Sequence, residues 1–339
     1  MSDTAAPEKP RGRSRRRGAA ILAGGIASSG FFLWLVARDA DLDAVWRALR
    51  GADLGRVALA AVVVQAVYLA QGARWRLIAD AMHLSVRRFY ALVLGGIGAN
   101  NLLPLRIGDI LRGRWLAKAA PMPTGRAFGS VFRDRASDVV VLVLGLAISI
   151  PFVGGAAWVA RIAFGGVALI AAILLLLLAA VIYTRVRPRA RRGARSRLRR
   201  LLRDALDEIA SPMGRRRLVP ALALSAVAWG FWALSAVLVC SSLGVTLSPA
   251  EAVFVTAVVN LGVAIPSSPG FVGTYQWLAV AALGVADVDG DVAIAFSLLM
   301  QAVWFVPTTL VGGVIAVREV HRAAARAGPE TEAPVPSPR

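Results

Sequence analysis

Residues 95–138 read GGIGANNLLPLRIGDILRGRWLAKAAPMPTGRAFGSVFRDRASD and lie between strongly apolar segments. Arg106, Asp109 and Arg112 follow a break at Asn100, Asn101 and Pro104, with Gly108 among them. Guanidinium groups recognise phosphate oxygens bidentately, so Arg106 and Arg112 are candidate ligands for a phosphate group, joined by Arg135 further on. A helix starting after the break adds unpaired N–H groups and the positive end of its dipole to such a site. Asp109 is three residues from both arginines and can hold either. Asp134, Arg135 and Asp138 share one helix. The two acids lie four residues apart on a single face, and Arg135 reaches Asp138 at i,i+3. Asp109, Asp134 and Asp138 are therefore read as counter-ions.

A second break, NLGVAIPSSPGFVGTYQWL, has Asn260, Pro266, Pro269, Gly270, Gly273 and Gln276 but no side chain expected to carry charge. Pro104-(x)3-Gly108 and Pro266-(x)3-Gly270 occupy matching places, each after an asparagine-bearing apolar segment and before a long apolar run. Broken segments at corresponding positions of two halves point to a binding site near the bilayer midplane. Backbone broken at membrane depth is tolerated where protein buries it or where it lines a cavity. The small residues of the second break equally suit close helix packing, and Arg114, Lys118 and Arg126 read as juxtamembrane charge.

These segments need a scaffold, and the composition supplies it. The 339 residues are 57% hydrophobic and 17% charged; soluble domains carry roughly a quarter charged residues. Apolar runs reach the roughly 20 residues of a spanning helix. The expectation is an all-α, polytopic integral membrane protein: six spanning helices near 18–37, 57–73, 131–153, 162–183, 218–240 and 292–317, with two re-entrant helical hairpins at the breaks. Three crossings between the hairpins would make the halves an inverted repeat. Residues 1–18 form a basic cytoplasmic tail and 19–317 the transmembrane domain. Residues 184–217, with thirteen arginines against three acids, form a basic cytoplasmic connection. A surface-lying helix is expected from Leu201, Leu202, Ala205, Leu206 and Ile209. Residues 318–339 form a disordered cytoplasmic tail. A short interfacial helix is expected around Leu42, Val45, Trp46 and Leu49.

The net charge of +19 sits in the connections, which fits the positive-inside rule and contact with anionic lipid headgroups rather than nucleic acid. It places the chain in the cytoplasmic (inner) membrane with both termini in the cytoplasm. Cys240 is the one cysteine and the two histidines are isolated, so neither a metal site nor a cofactor is expected. No phosphate-cradling GxxxxGK[ST] and no Ser-His-Asp set is present, so no catalytic residues are assigned.

The breaks resemble the lysylphosphatidylglycerol synthase transmembrane region, a flippase-like domain family. Its first pattern, N-N-x-x-P-x-R-x-G-E-x-x-R, stands here as Asn100, Asn101, Pro104, Arg106, Gly108, Asp109 and Arg112, with Asp109 where glutamate is common. The second, E-R-x-x-D, stands as Asp134, Arg135 and Asp138. The third, P-x-x-P-G-x-x-G-x-x-E, stands as Pro266, Pro269, Gly270, Gly273 and then Gln276 in place of the frequent glutamate. The resemblance spans about 21–317 and implies lipid handling, led by translocation of a phosphate-bearing lipid (a phospholipid, aminoacyl-phospholipid or polyprenyl-linked glycolipid) between leaflets. Gln276 removes a carboxylate that proton coupling would use, and no soluble aminoacyltransferase domain follows. A non-enzymatic carrier with membrane lipids as partners, and a lipid-modifying enzyme beside it, is the leading expectation. A membrane-embedded lipid transferase and a non-catalytic scaffold are the alternatives. The sequence leaves the oligomeric state open.

Overall fold

The structure is a computed structural model that describes residues 24, 27–103, 106–153, 197–263 and 269–325. The expected N-terminal tail, the start of the first span, the span at 162–183, Pro104, Pro266, residues 184–196 of the basic connection and the end of the C-terminal tail lie outside these residues. The described residues contain helices and no strand. Four helices are long and apolar enough to cross a membrane: α3 (Leu54–Ile78), α6 (Thr124–Ser149, continued by a 3-10 turn to Phe152), α8 (Arg215–Ser242) and α11 (Gly290–Ala325). Around them lie α1 (Ala27–Ala37), α2 (Leu42–Gly51), α4 (Val86–Leu102), α5 (Ile107–Ala119), α7 (Arg197–Ala210), α9 (Pro249–Gly262) and α10 (Thr274–Leu283).

Conventional signals set the helix starts outside the breaks. Asp41 caps α2, Asp53 caps α3 and Ser85 caps α4. Ser248 and Glu251 form a reciprocal capping box on α9, which satisfies N–H groups that a helix start leaves open. Asp41 and Asp289 serve as caps, and Asp291 accepts the Asp41 N–H at 3.0 Å. These residues mark an acidic end of the bundle, opposite a basic end that carries Arg88, Arg126, α7 and the start of α8.

The helices form two consecutive sets of four that run in opposite directions. In the first, α3 runs from the acidic to the basic end, α4 and α5 form a hairpin, and α6 returns. In the second, α8 runs from the basic to the acidic end, α9 and α10 form a hairpin, and α11 returns. The two sets interlock: α3 packs along α8, α4 along α11, and α9 along α6. Asp53 N–H donates to the Ser242 carbonyl at one end of the α3–α8 pair, and Arg74 reaches Ser225 toward the other. The inverted arrangement expected from the two breaks is thus visible in the order and direction of the helices.

At 17 and 13 residues, α4 and α5 are about 25 and 20 Å long; α9 and α10, at 14 and 10 residues, are about 21 and 15 Å. Each is shorter than the roughly 30 Å hydrocarbon core. Glycine sets the close packing of the first hairpin. A Cβ on Gly108 would collide with the Gly96 carbonyl oxygen and one on Gly98 with the backbone of Gly312 and Gly313, so α4 touches α5 and α11 nearly backbone to backbone.

Two local expectations change. The second apolar run does not stop before Arg74: α3 continues to Ile78, with Arg74 fully buried inside it. The helix continues because two carboxylates neutralise the guanidinium. The basic helix α7 does not simply lie on a surface. It packs against α6, with Leu201 and Ala205 backbone over Gly125 and Gly129 and with Glu208 held by Arg126 (2.9 Å) and Arg133 (3.0 Å). Leu198 and Leu202 stay exposed.

Candidate functional site

The site is assembled from α3, α6 and the first hairpin. Asp134 and Asp138 share a face of α6, and that face meets Arg74 of α3. Arg74 Nε donates to Asp134 Oδ1 at 2.9 Å, and its Nη2 donates to Asp138 Oδ2 at 3.1 Å. A further bond joins Arg74 Nη1 to Asp138 Oδ1, and Nη1 also reaches the Ser225 hydroxyl of α8 at 2.9 Å. One planar guanidinium thus spans both acids, a geometry a lysine cannot reproduce. Arg112 of α5 donates to Asp134 Oδ2 at 3.0 Å and lies 4.3 Å above the Trp75 ring. The Trp75 indole in turn donates to the Ser130 hydroxyl at 3.1 Å. Arg74, Arg112 and Asp134 are fully buried. Removing one partner of such a set leaves an uncompensated buried charge.

Arg135 differs. Its side chain is 38% exposed. It donates to Asp138 Oδ2 at 3.3 Å, the i,i+3 contact expected from the sequence, and stands 3.6 Å from Asp109. Asp109 is also 3.6 Å from Arg112. Among the described residues, Arg135 Nε has no hydrogen-bond acceptor.

Arg106 sits at the apex of the first hairpin with φ 52°, the left-handed region. Its guanidinium crosses to the second hairpin, donating to the Val263 carbonyl at 2.8 Å and lying 5.6 Å from the Phe271 ring centroid. Phe271 also has a left-handed φ, 60°. A non-glycine residue pays about 1–2 kcal/mol for that conformation, and such residues gather at clamps and switch regions. The two hairpins, approaching from opposite ends, therefore meet apex to apex through a pair of strained residues.

The asparagines brace this meeting point. Asn100 Oδ1 accepts the Gly108 N–H at 2.7 Å. That amide was expected to be open to an anion. It is closed by the protein because a buried N–H must find an acceptor. Asn101 donates to the Thr308 and Thr309 hydroxyls at 3.0 and 2.9 Å, beside Pro307 of α11. In the second hairpin Asn260 donates back to the Thr256 carbonyl at 2.8 Å. Gln276 Oε1 accepts the Gly273 N–H at 2.7 Å, and its amide nitrogen pairs with Gln301. Gln301 donates on to the Gly270 carbonyl at 2.8 Å. Gly270 and Gly273 have φ of 72° and 86°, which glycine adopts without penalty.

A cavity of about 300 Å³ opens between the hairpins. Arg106, Asp109, Arg135, Asp138, Asn100 and Asn260 reach it, together with the aromatic groups Tyr68, Trp229, Trp232, Tyr275 and Trp304. Of the three arginines expected to hold phosphate, Arg106 and Arg135 line the cavity, whereas Arg112 stands behind them in the ion-pair set. Gln276 and Gly108 shape the hairpins without lining the space. Sequence reasoning passed over Arg74, Gln71 and Trp229. The usable signal was the spacing of Val67, Gln71, Arg74, Trp75 and Ile78 along one face of α3, which continues the buried stripe through an arginine. No group of three or more His, Cys, Asp or Glu side chains among the described residues is arranged to hold a metal ion.

Long apolar helices, two interrupted hairpins and a buried ion-pair network define a multi-pass, all-helical membrane protein. Residues 21–312 match the family described as Lysylphosphatidylglycerol synthase TM region, and the chain belongs to that family. The match makes it a membrane protein concerned with lipids. No curated protein matches the chain.

Proposed function

We propose that the protein is a carrier that moves a phosphate-bearing lipid between the leaflets of the cytoplasmic membrane, without covalent chemistry. One observation carries this reading: two hairpins from opposite ends of the bundle meet at Arg106, Val263 and Phe271, beside a cavity into which Arg106 and Arg135 project. Breaks facing one another across a cavity form a site reachable in turn from either side when the two halves rock. Arg106 and Arg135 bind the phosphate. Asp109 and Asp138 hold Arg135 until the phosphate displaces them, while Arg74, Arg112 and Asp134 keep α3, α5 and α6 in register. The basic end faces the cytoplasm, as the positive-inside rule requires, and a lipid-modifying enzyme supplies or consumes the cargo.

The test is translocation in proteoliposomes, with fluorescent phospholipid and polyprenyl-phosphate probes and a membrane-impermeant quencher. Protein-dependent flipping that falls at least tenfold in both Arg106→Ala and Arg135→Ala supports the carrier. Folded protein that flips no probe, or flipping that both substitutions leave intact, overturns it.

A further inference from the structure

The cavity between the hairpins has a chemistry more specific than phosphate binding. Arg106, Arg135, Asp109 and Asp138 line it, and Arg74, Arg112 and Asp134 stand directly behind them, so that among the described residues four arginines meet three aspartates and one positive charge is left over. In a low-dielectric site this matches a single negative charge, as on a phosphodiester, rather than the two of a phosphomonoester or diphosphate.

The carboxylates are already engaged. Asp138 accepts from Arg74, from Arg135 at 3.3 Å and from the Trp229 indole at 3.0 Å, which fills its two oxygens. Asp109 is shared by Arg112 and Arg135, and Asp134 by Arg74 and Arg112. After the phosphate takes Arg135, Asp138 is still held by Arg74 and Trp229 and Asp109 still faces Arg112, so a headgroup ammonium would find no carboxylate free of a guanidinium.

Neutral amide groups, by contrast, keep donors and acceptors that no described residue takes up. Gln71 lines the cavity and is 5% exposed, and its side-chain amide has no hydrogen-bond partner among the described residues. Asn100 uses its oxygen on Gly108, and Asn260 uses its nitrogen on Thr256, so the former keeps a donor and the latter an acceptor for the cavity they both line. A mixture of donors and acceptors complements hydroxyl groups, each of which is both. Trp229, Trp232 and Trp304 provide apolar faces for the C–H side of a ring. A volume of about 300 Å³ suits a headgroup rather than acyl chains.

Resting on the carrier reading, we infer that the cargo is a phosphodiester lipid whose headgroup is an uncharged sugar or polyol, and that Gln71 and Asn260 select it against ammonium-bearing lipids. The experiment is a binding titration on the full chain in detergent, followed by tryptophan fluorescence. It uses dioctanoyl phosphatidylinositol, phosphatidylethanolamine, lysyl-phosphatidylglycerol and phosphatidic acid. Phosphatidylinositol is expected to bind at least tenfold more tightly than the other three. Gln71→Leu is expected to lose roughly tenfold for phosphatidylinositol alone, and Asn260→Leu, on the opposite hairpin, to do the same should Gln71→Leu fail to fold. Equal or tighter binding of either ammonium lipid or of phosphatidic acid overturns the inference, as does unchanged selectivity in the folded variants. The same lipids in the translocation assay separate the two proposals. Selective binding without flipping removes the carrier and leaves the selectivity. Flipping led by an ammonium lipid keeps the carrier and removes the selectivity.

Discussion

The two hairpins share a backbone plan and differ in what holds it. The first, α4–α5, is closed by glycine contacts and by a guanidinium–carboxylate set shared with α3 and α6. The second, α9–α10, is held by neutral amides: Gln276 on Gly273 and Gln301, and Gln301 on Gly270. Both use an amide side chain on a backbone N–H freed by the break, Asn100 on Gly108 and Gln276 on Gly273, and the first adds the ionic set to this. The ionic solution costs more to desolvate but presents charge at the cavity. The amide solution is electrically silent. Two halves that run in opposite directions therefore need not share chemistry: the first supplies the charge, and the second supplies the opposing wall.

Breaking the ionic half should be the most damaging. Arg74→Met leaves Asp134 and Asp138 without their shared guanidinium and is expected to cost about 3–5 kcal/mol. The readout is a large fall in detergent melting temperature or loss of folded protein on size exclusion. Arg74→Lys should recover only part of this, because one ammonium cannot span both acids. Combining Arg74→Met with Asp138→Asn should cost less than the two single changes added together. Additive costs would show that the contact is not energetically coupled.

Glycine closure in the first hairpin comes next. Gly108→Ala forces a methyl group against the Gly96 carbonyl and the Asn100 side chain, with an expected loss of about 1–3 kcal/mol in thermal denaturation. A fully stable variant would mean that α5 can lift away from α4 at little cost. In the neutral half, Gln276→Leu removes the acceptor on Gly273 and one partner of Gln301, and about 1–2 kcal/mol is expected in the same measurement. A loss as large as that of Arg74→Met would erase the distinction between the hairpins.

The smallest effect on stability belongs to Arg106→Ala. It removes one hydrogen bond and one ring contact and leaves the left-handed backbone in place, so no more than about 1 kcal/mol is expected. Its effect on translocation should be far larger than its effect on melting. Equal small changes in both would make the contact between the apices a structural tie only.

Four of the expected spans (57–73, 131–153, 218–240 and 292–317), both breaks and the pairing of Arg135 with Asp138 were legible in the sequence. Run length, glycine, proline and i,i+3 spacing record local geometry, and local geometry is set by residues a few positions apart. The closed Gly108 amide, the burial of Arg112 behind Trp75 and the inclusion of Arg74 in the site were not legible, although each residue was in view. Arg74 resembled the juxtamembrane arginines beside it, Arg76 and Arg88; the stripe of Val67, Gln71, Trp75 and Ile78 marks its face of the helix but not its partners. Its partners lie 60 and 64 residues away on another helix. The contact between hairpin apices joins Arg106 to a carbonyl 157 residues later. The sequence by itself determined that this is a helical membrane protein with two interrupted segments carrying charge at one of them. The packing of antiparallel halves decided which charges are buried in pairs and which face the cavity, because burial and partner choice depend on which helix faces meet, and helical periodicity alone does not say which faces those are.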